Sequence, residues 1–353
     1  MKVKIRIGNE VKEYTGAWED HTLLEVFQEL GITQVHAPCG GNGTCKKCLV
    51  TVEGLGKVLS CQTQCKDDMC VTVAEEQKSA IAENGNCYLY PADAGEGLLA
   101  ACDIGTTTVV CHLLDGATGV RLCTVSAPNA QRSFGADVIS RIQASVDSGL
   151  DKLQSAIVDQ INGMLVQLKQ KAGRTEDIRR LAVAGNTVMS HLFCGLSPES
   201  IGVAPFTPLS LFGESYDAKQ IGIEGCETVY VVPSIAGYVG GDIVADLAAV
   251  QMHSSVLAED GEKETLMLDI GTNGEMVLGK SGSYVCCATA AGPAFEGAEI
   301  AMGMPAASGA ISKVWLEDGK ICCSTINDAP AVGICGSGLI DALAVFLETE
   351  LLD

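Results

Sequence analysis

The first residues alternate charged and apolar side chains, with Val3, Ile5 and Ile7 on one face and Lys2, Lys4 and Arg6 on the other, the period-two pattern of a half-exposed strand. Gly8-Asn9 turns the chain, and 11–15 returns beside it. Thr22 then precedes Leu23, Leu24, Val26, Phe27 and Leu30 at helical spacing, and Gly31 stops the pattern, so the stretch reads as an N-capped helix. After a loop rich in glycine and cysteine at 37–48, apolar runs at 49–52 and 70–73 supply further strands. Two strands, a helix, a loop and more strands predict an α+β unit of the β-grasp type over 1–74. Residues 75–96 keep no period and read as a linker.

From Leu98 the texture changes. Apolar strands joined by glycine-rich turns alternate with helical patterns at 136–146, 150–171, 187–193, 235–252 and 337–348, which predicts an α/β architecture with mixed sheets. One repeat sharpens the picture. Asp103-Ile104-Gly105-Thr106 recurs as Asp269-Ile270-Gly271-Thr272, each copy behind an apolar strand (98–102 and 266–268) and ahead of another (109–114 and 275–278). Two related lobes are expected, 97–253 and 254–353.

Chemistry enters first through sulfur. Cys39, Cys45 and Cys48 lie within ten residues, with Gly40, Gly41 and Gly43 between the first two, and Cys61 follows in Leu59-Ser60-Cys61-Gln62. Glycines let the backbone wrap an inorganic core and turn N–H groups toward its sulfurs. Three close thiols plus a distant one form a [2Fe–2S] pattern. A zinc ribbon would pair two C-x2-C knuckles, and only one is present. Cys65 rivals Cys61 as fourth ligand. The loop resembles that of [2Fe–2S] ferredoxins, and its five residues between the first two cysteines are similar to the hydroxylase-type members. Of the chain's 17 cysteines many sit inside apolar runs, so a reducing, cytoplasmic and anaerobic interior is expected.

The repeated Asp-Ile-Gly-Thr offers a second chemistry. A strand ending in Asp followed by Gly-Thr sets a carboxylate beside a tight turn whose N–H groups can hold phosphate while the Asp orients Mg²⁺ or its waters. Two copies on equivalent strands predict a clamp on the phosphates of a nucleotide. The arrangement resembles the acetate kinase, sugar kinase, Hsp70 and actin superfamily of ATPases, and so implies a ribonuclease-H-type two-lobed fold. The resemblance places Asp103, Gly105, Thr106 and Thr107 in the first phosphate motif, and Asp269, Gly271, Thr272 and Asn273 in the second. It puts the Gly240-Gly241-Asp242 helix at the first connecting helix, with Asp242 either orienting the attacking water or serving only as a dipole partner. Gly292 and the pair Gly336-Ser337 open later glycine clusters that could meet ribose or phosphate, or be plain helix entries. The turn Ala184-Gly185-Asn186-Thr187 also opens a helix, with no role assigned.

A formal net charge of −21 excludes nucleic acid and anionic membranes as partners, since both need a basic face. No run reads as a membrane span. A one-electron centre joined to an ATPase suggests ATP-driven transfer to an acceptor of lower potential. Taken together, the motifs resemble those of the ATP-dependent reductive activators of corrinoid proteins. That resemblance implies [2Fe–2S] and Mg·ATP as cofactors. It also implies a corrinoid protein of a methyltransferase system as partner, a low-potential electron donor, room for a homodimer, and reduction of Co(II) to Co(I). Such activators continue past position 353, so the second lobe is expected to be incomplete.

Overall fold

A computed structural model describes the chain apart from residues 9, 33, 36, 38–40, 42, 44–47, 74–94, 254–263, 272, 281–282, 290–299, 301, 305 and 353. It separates into two compact units, one ending at Val250 and one beginning at Gln251.

The first unit opens with strands β1 (Lys2–Ile7) and β2 (Glu10–Thr15), helix α1 (Leu23–Glu29), and strands β3 (Leu49–Val52), β4 (Gly56–Leu59) and β5 (Met69–Val73). The sheet order is β2-β1-β5-β3-β4, with β1 parallel to β5 and the other neighbours antiparallel. This is the β-grasp arrangement expected. Helix α1 is fixed by a capping box in which Thr22 Oγ1 accepts from Glu25 N while the Glu25 carboxylate accepts from Thr22 N. Its Leu23, Leu24, Val26 and Phe27 then bury against Val3, Ile5, Val50 and Val71. The sequence pattern missed β4, a short edge strand entered through Gly54 and Gly56 at positive φ.

A six-stranded sheet follows. Its strands are β6 (Leu98–Ile104), β7 (Thr108–Asp115), β8 (Arg121–Pro128), β9 (Ile178–Gly185), β10 (Ser215–Asp217) and β11 (Cys226–Val231), in the order β10-β11-β9-β6-β7-β8. Strands β6, β9 and β11 run parallel, and β7 and β8 form an antiparallel meander on one side. Helices α2 (Val138–Ala144), α3 (Leu150–Ala172), α4 (Thr187–Phe193), α5 (Ala218–Ile221) and α6 (Gly241–His253) complete the unit. Leu153, Ile157, Ile161, Leu165 and Leu168 recur along one face of α3 and are fully buried with Leu98, Val109, Leu113 and Leu181. Gly173 ends the helix at φ 64°. The expected helix 136–146 instead begins after the Asp137 cap, and at Ser145 it widens into a π-turn closed by Gly149. The expected helix 235–252 starts only at Gly241, because 235–239 fold into a tight turn in which Ile235 N donates to Val239 O.

His191 shows how the loops are tied down. It is fully buried on α4, where Nδ1 donates to Thr187 O and Nε2 accepts from the backbone of Leu209 and Ser210. Both roles need the neutral ring, and burial holds its pKa below that of a free histidine. Half-buried His112 is shifted the same way by burial and then by Arg121. The unfolded state therefore takes up protons first as pH drops below about 6.5, so this stability is complete above that value and declines beneath it. Denaturant midpoints should fall between pH 7.5 and 5.5, with a shallower slope in His191→Ala, which is less stable at both.

The second unit holds an antiparallel meander of β12 (Thr265–Ile270), β13 (Gly274–Lys280) and β14 (Ser283–Thr289), repeating the β6-β7-β8 connectivity. Beyond it, β15 (Ala310–Glu317), β16 (Lys320–Thr325) and β17 (Gly333–Ile334) pair in the order β16-β15-β17, and α7 (Gly336–Glu348) lies on β15. Among the described residues no helix is long and apolar enough to cross a membrane.

Candidate cluster and phosphate sites

Two of the four candidate sulfur ligands meet in the first unit. Cys48 enters β3, and Cys61 sits in the single helical turn Ser60–Gln62 that follows β4. Pairing of β3 with β4 and a hydrogen bond from Ser60 N to Cys48 O hold the two ends together. Their Sγ atoms lie 3.2 Å apart, and both side chains are buried. Gly41 and Gly43, at φ 87° and 84°, lie against this turn. Gln62 Nε2 donates to Gly41 O at 3.1 Å, and a Cβ on Gly43 would press on the Gln62 side chain at 3.2 Å. The Ser60 hydroxyl is fully buried and has no hydrogen-bond partner among the described residues. Close, buried sulfur donors beside an unspent hydroxyl fit a thiolate-bound cluster. Cys39 and Cys45 lie outside the described residues. Cys65 is also buried, which pushes its thiol pKa up, and its N–H donates to His21 O.

The first phosphate motif is clamped from behind. It joins β6 to β7, and its three successive carbonyls each accept a bond from the protein interior. Gly105 O accepts from Asn129 Nδ2 at 2.8 Å, Thr106 O from Arg141 Nη2, and Thr107 O from Asn129 N at 2.9 Å. In a trans peptide the C=O and N–H point opposite ways, so the N–H groups of Thr106 and Thr107 are turned away from that interior. Asp103, at the end of β6, is exposed beside them. Such a row of outward N–H groups can take up an oxyanion.

The unassigned Ala184-Gly185-Asn186-Thr187 turn completes this site. Asn186 caps α4 by accepting from Met189 N and donates Nδ2 to Thr106 Oγ1 at 3.0 Å. Gly240, immediately before α6, lies so close that a Cβ there would stand 2.4 Å from Asn186 Cα and 2.7 Å from Thr187 N. Asp242 follows two residues later, half-buried in the first turn of α6, where Oδ1 accepts from Ile243 N. Because the obstructing atoms are backbone, Gly240→Ala should cost about 2–3 kcal/mol of unfolding free energy in urea titrations.

In the second unit, Asp269 ends β12 directly opposite the buried Glu275 of β13. Burial pushes the Asp269 carboxyl pKa upward, a shift that a bound cation would offset. Gly271 N donates to Asn273 O in the turn that follows, while Thr272 and Gly292 lie outside the described residues. At α7 the Ser337 hydroxyl donates to Ser312 O, and a Cβ on Gly338 would meet Ile311 O at 2.2 Å. The glycines around Gly336 thus let α7 approach β15, with the Ser337 oxygen still able to accept.

Comparison with known proteins gives this geometry a family. Residues 6–76 match a 2Fe-2S iron-sulfur cluster binding domain, 98–255 the RACo middle region, and 263–353 the C-terminal domain of RACo, the ASKHA domain. The chain is 32 % identical over 419 residues to the corrinoid activation enzyme RamQ of Eubacterium limosum, covering 95 % of this chain and 69 % of RamQ. It is 28 % identical over 293 residues to a [Co(II) methylated amine-specific corrinoid protein] reductase of Methanosarcina barkeri, covering 72 % of this chain and 51 % of that protein. A solved structure, a reductive activator for corrinoid, iron-sulfur protein, superimposes with a TM-score of 0.62 at 31 % identity, covering 99 % of this chain and 73 % of that one. An iron-sulfur β-grasp domain followed by an actin- and Hsp70-like ATPase domain is the class defined here. The chain belongs to the RACo family.

Proposed function

We propose that the chain couples ATP hydrolysis to one-electron reduction of a protein-bound corrinoid from Co(II) to Co(I), returning a methyltransferase system to its active state. The observation that carries this reading is the coexistence, in one compact unit, of the paired Cys48 and Cys61 thiols and the backward-clamped loop at Gly105–Thr107. The named relatives activate or reduce corrinoid proteins. A [2Fe–2S] cluster supplies one-electron chemistry, near −400 mV for plant-type centres, and Mg·ATP supplies the free energy that a lower acceptor demands, each ~59 mV of deficit reducing the equilibrium constant tenfold.

In this reading Cys39, Cys45, Cys48 and Cys61 hold the cluster. Asp103 with Gly105, Thr106 and Thr107 receives phosphate and orients the magnesium waters. Asp269, Gly271, Thr272 and Asn273 form the second phosphate motif, and Gly292, Gly336 and Ser337 are candidates to meet ribose or phosphate. Asp242 positions the attacking water. The domains run 1–74, 97–253 and 254–353 around a linker at 75–96. A low-potential donor feeds the cluster in the reducing cytoplasm, a compartment that suits the free thiols. The test is anaerobic: purified chain, a Co(II) corrinoid protein and a reductant should give Co(I) absorbance only when Mg·ATP is added. Equal reduction without nucleotide would overturn the proposal.

A further inference from the structure

Among the described residues, Arg141 is the charged residue most completely withdrawn from water. It projects from α2 with no accessible surface, and Nε donates to Gly135 O, Nη2 to Thr106 O, while Nη1 lies 3.0 Å from Met189 Sδ. These partners are two carbonyls and a thioether. Among the described residues no carboxylate forms an ion pair with it; the charge of Arg132 opposes its own and that of Asp137 favours it. Burial lowers its pKa to about 9, so it is still protonated at neutral pH.

A buried charge without a counter-ion is costly, and carbonyl dipoles offset only part of that cost. An anion seated on the loop would complete the compensation. Thr106 O belongs to the same peptide plane as the Thr107 N–H, so a guanidinium drawing electron density toward that oxygen makes the N–H on the opposite side a stronger donor. We infer that Arg141 is an internal counter-charge for phosphate held at Gly105–Thr107, a positioning residue that acts through the Thr106 peptide without touching the nucleotide. The inference rests on the phosphate-binding reading of that loop given above.

Arg141→Lys keeps the positive charge and gives up the planar fork, whereas Arg141→Gln keeps donors and gives up the charge. Titration of the full chain with Mg·ADP by calorimetry, beside thermal unfolding without nucleotide, separates the two contributions. Both variants should unfold at lower temperature than the wild type, since both disturb the clamp. Nucleotide affinity should drop about tenfold or more in Arg141→Gln, the size expected for one unit charge acting through protein over several ångströms. In Arg141→Lys it should stay within about threefold of the wild type, because a lysine at this point preserves the field. Wild-type affinity in Arg141→Gln would overturn the inference. So would a tenfold loss in Arg141→Lys, which decides the matter alone if Arg141→Gln fails to fold. A wild-type chain that binds no Mg·ADP would instead remove the phosphate reading, and the inference with it.

Discussion

Cys61→Ala and Cys48→Ala should each yield protein with almost no iron or sulfide, without the visible absorbance bands and the reduced-state paramagnetic resonance of a [2Fe–2S] centre. The two sulfurs sit 3.2 Å apart on facing ends of a hairpin, so removing either takes away a ligand whose position the other cannot reach by a rotamer change. The fold should survive, since trimming a buried thiol to a methyl costs only about 1–2 kcal/mol. Cys65→Ala is the matched comparison: as deeply buried, four residues further on, it should keep full iron content and colour. Colour retained in Cys61→Ala and lost in Cys65→Ala would transfer the fourth ligand to Cys65. In the cluster-free variants ATP hydrolysis should persist while corrinoid reduction stops, because the phosphate loop is held by Asn129, Arg141 and Asn186 rather than by the sulfur turn.

The second large effect belongs to Asp103→Asn. The substitution preserves shape and removes one negative charge beside the outward N–H groups of Thr106 and Thr107. If Asp103 orients magnesium and its waters as proposed, turnover of ATP should fall by about 10²–10³, as when one preorganised electrostatic contact is deleted from an active site. Thermal stability should change little, within about 0.5 kcal/mol, since the side chain is exposed at a strand end. Phosphate release assays on Asp103→Asn with intact iron content isolate this step. A variant with near wild-type turnover would shift the metal-orienting role to Asp242 or Asp269, whose asparagine variants should be measured in the same series.

Much of this was legible in the residues. The alternation at Val3, Ile5 and Ile7, the Thr22 cap and the repeated Asp-Ile-Gly-Thr are short-range signals, and each reports local geometry directly. Where the sequence fell short, the cause was long-range. A helix pattern running back to Ile235 is broken because Gly240 must lie against Asn186, fifty-four positions earlier, and no local period records such an approach. The roles of Asn129 and Arg141 are long-range for the same reason. Asn129 caps a single helical turn at Ala130–Ser133, and Arg141 reads as one cation in an amphipathic stretch. Their bonds to Gly105 and Thr106 exist only after the sheet and α2 have come together. A signal was present in retrospect, since Arg141 falls with Val138 and Ile142 on the apolar side of α2, where a charge is expensive unless it has employment.

One further feature lies under the phosphate loop. Cys102 and Cys111 face each other across β6 and β7 with sulfurs 2.9 Å apart, both buried, and their mutual hydrogen bond and burial hold the Cys102 thiol well above its ordinary pKa. Protonated and sealed, the pair should be inert to alkylating agents for as long as the two strands remain zipped. Its labelling rate thus becomes a clock for how often the heart of the lobe breathes open, and the clock should slow when nucleotide staples the neighbouring turn in place.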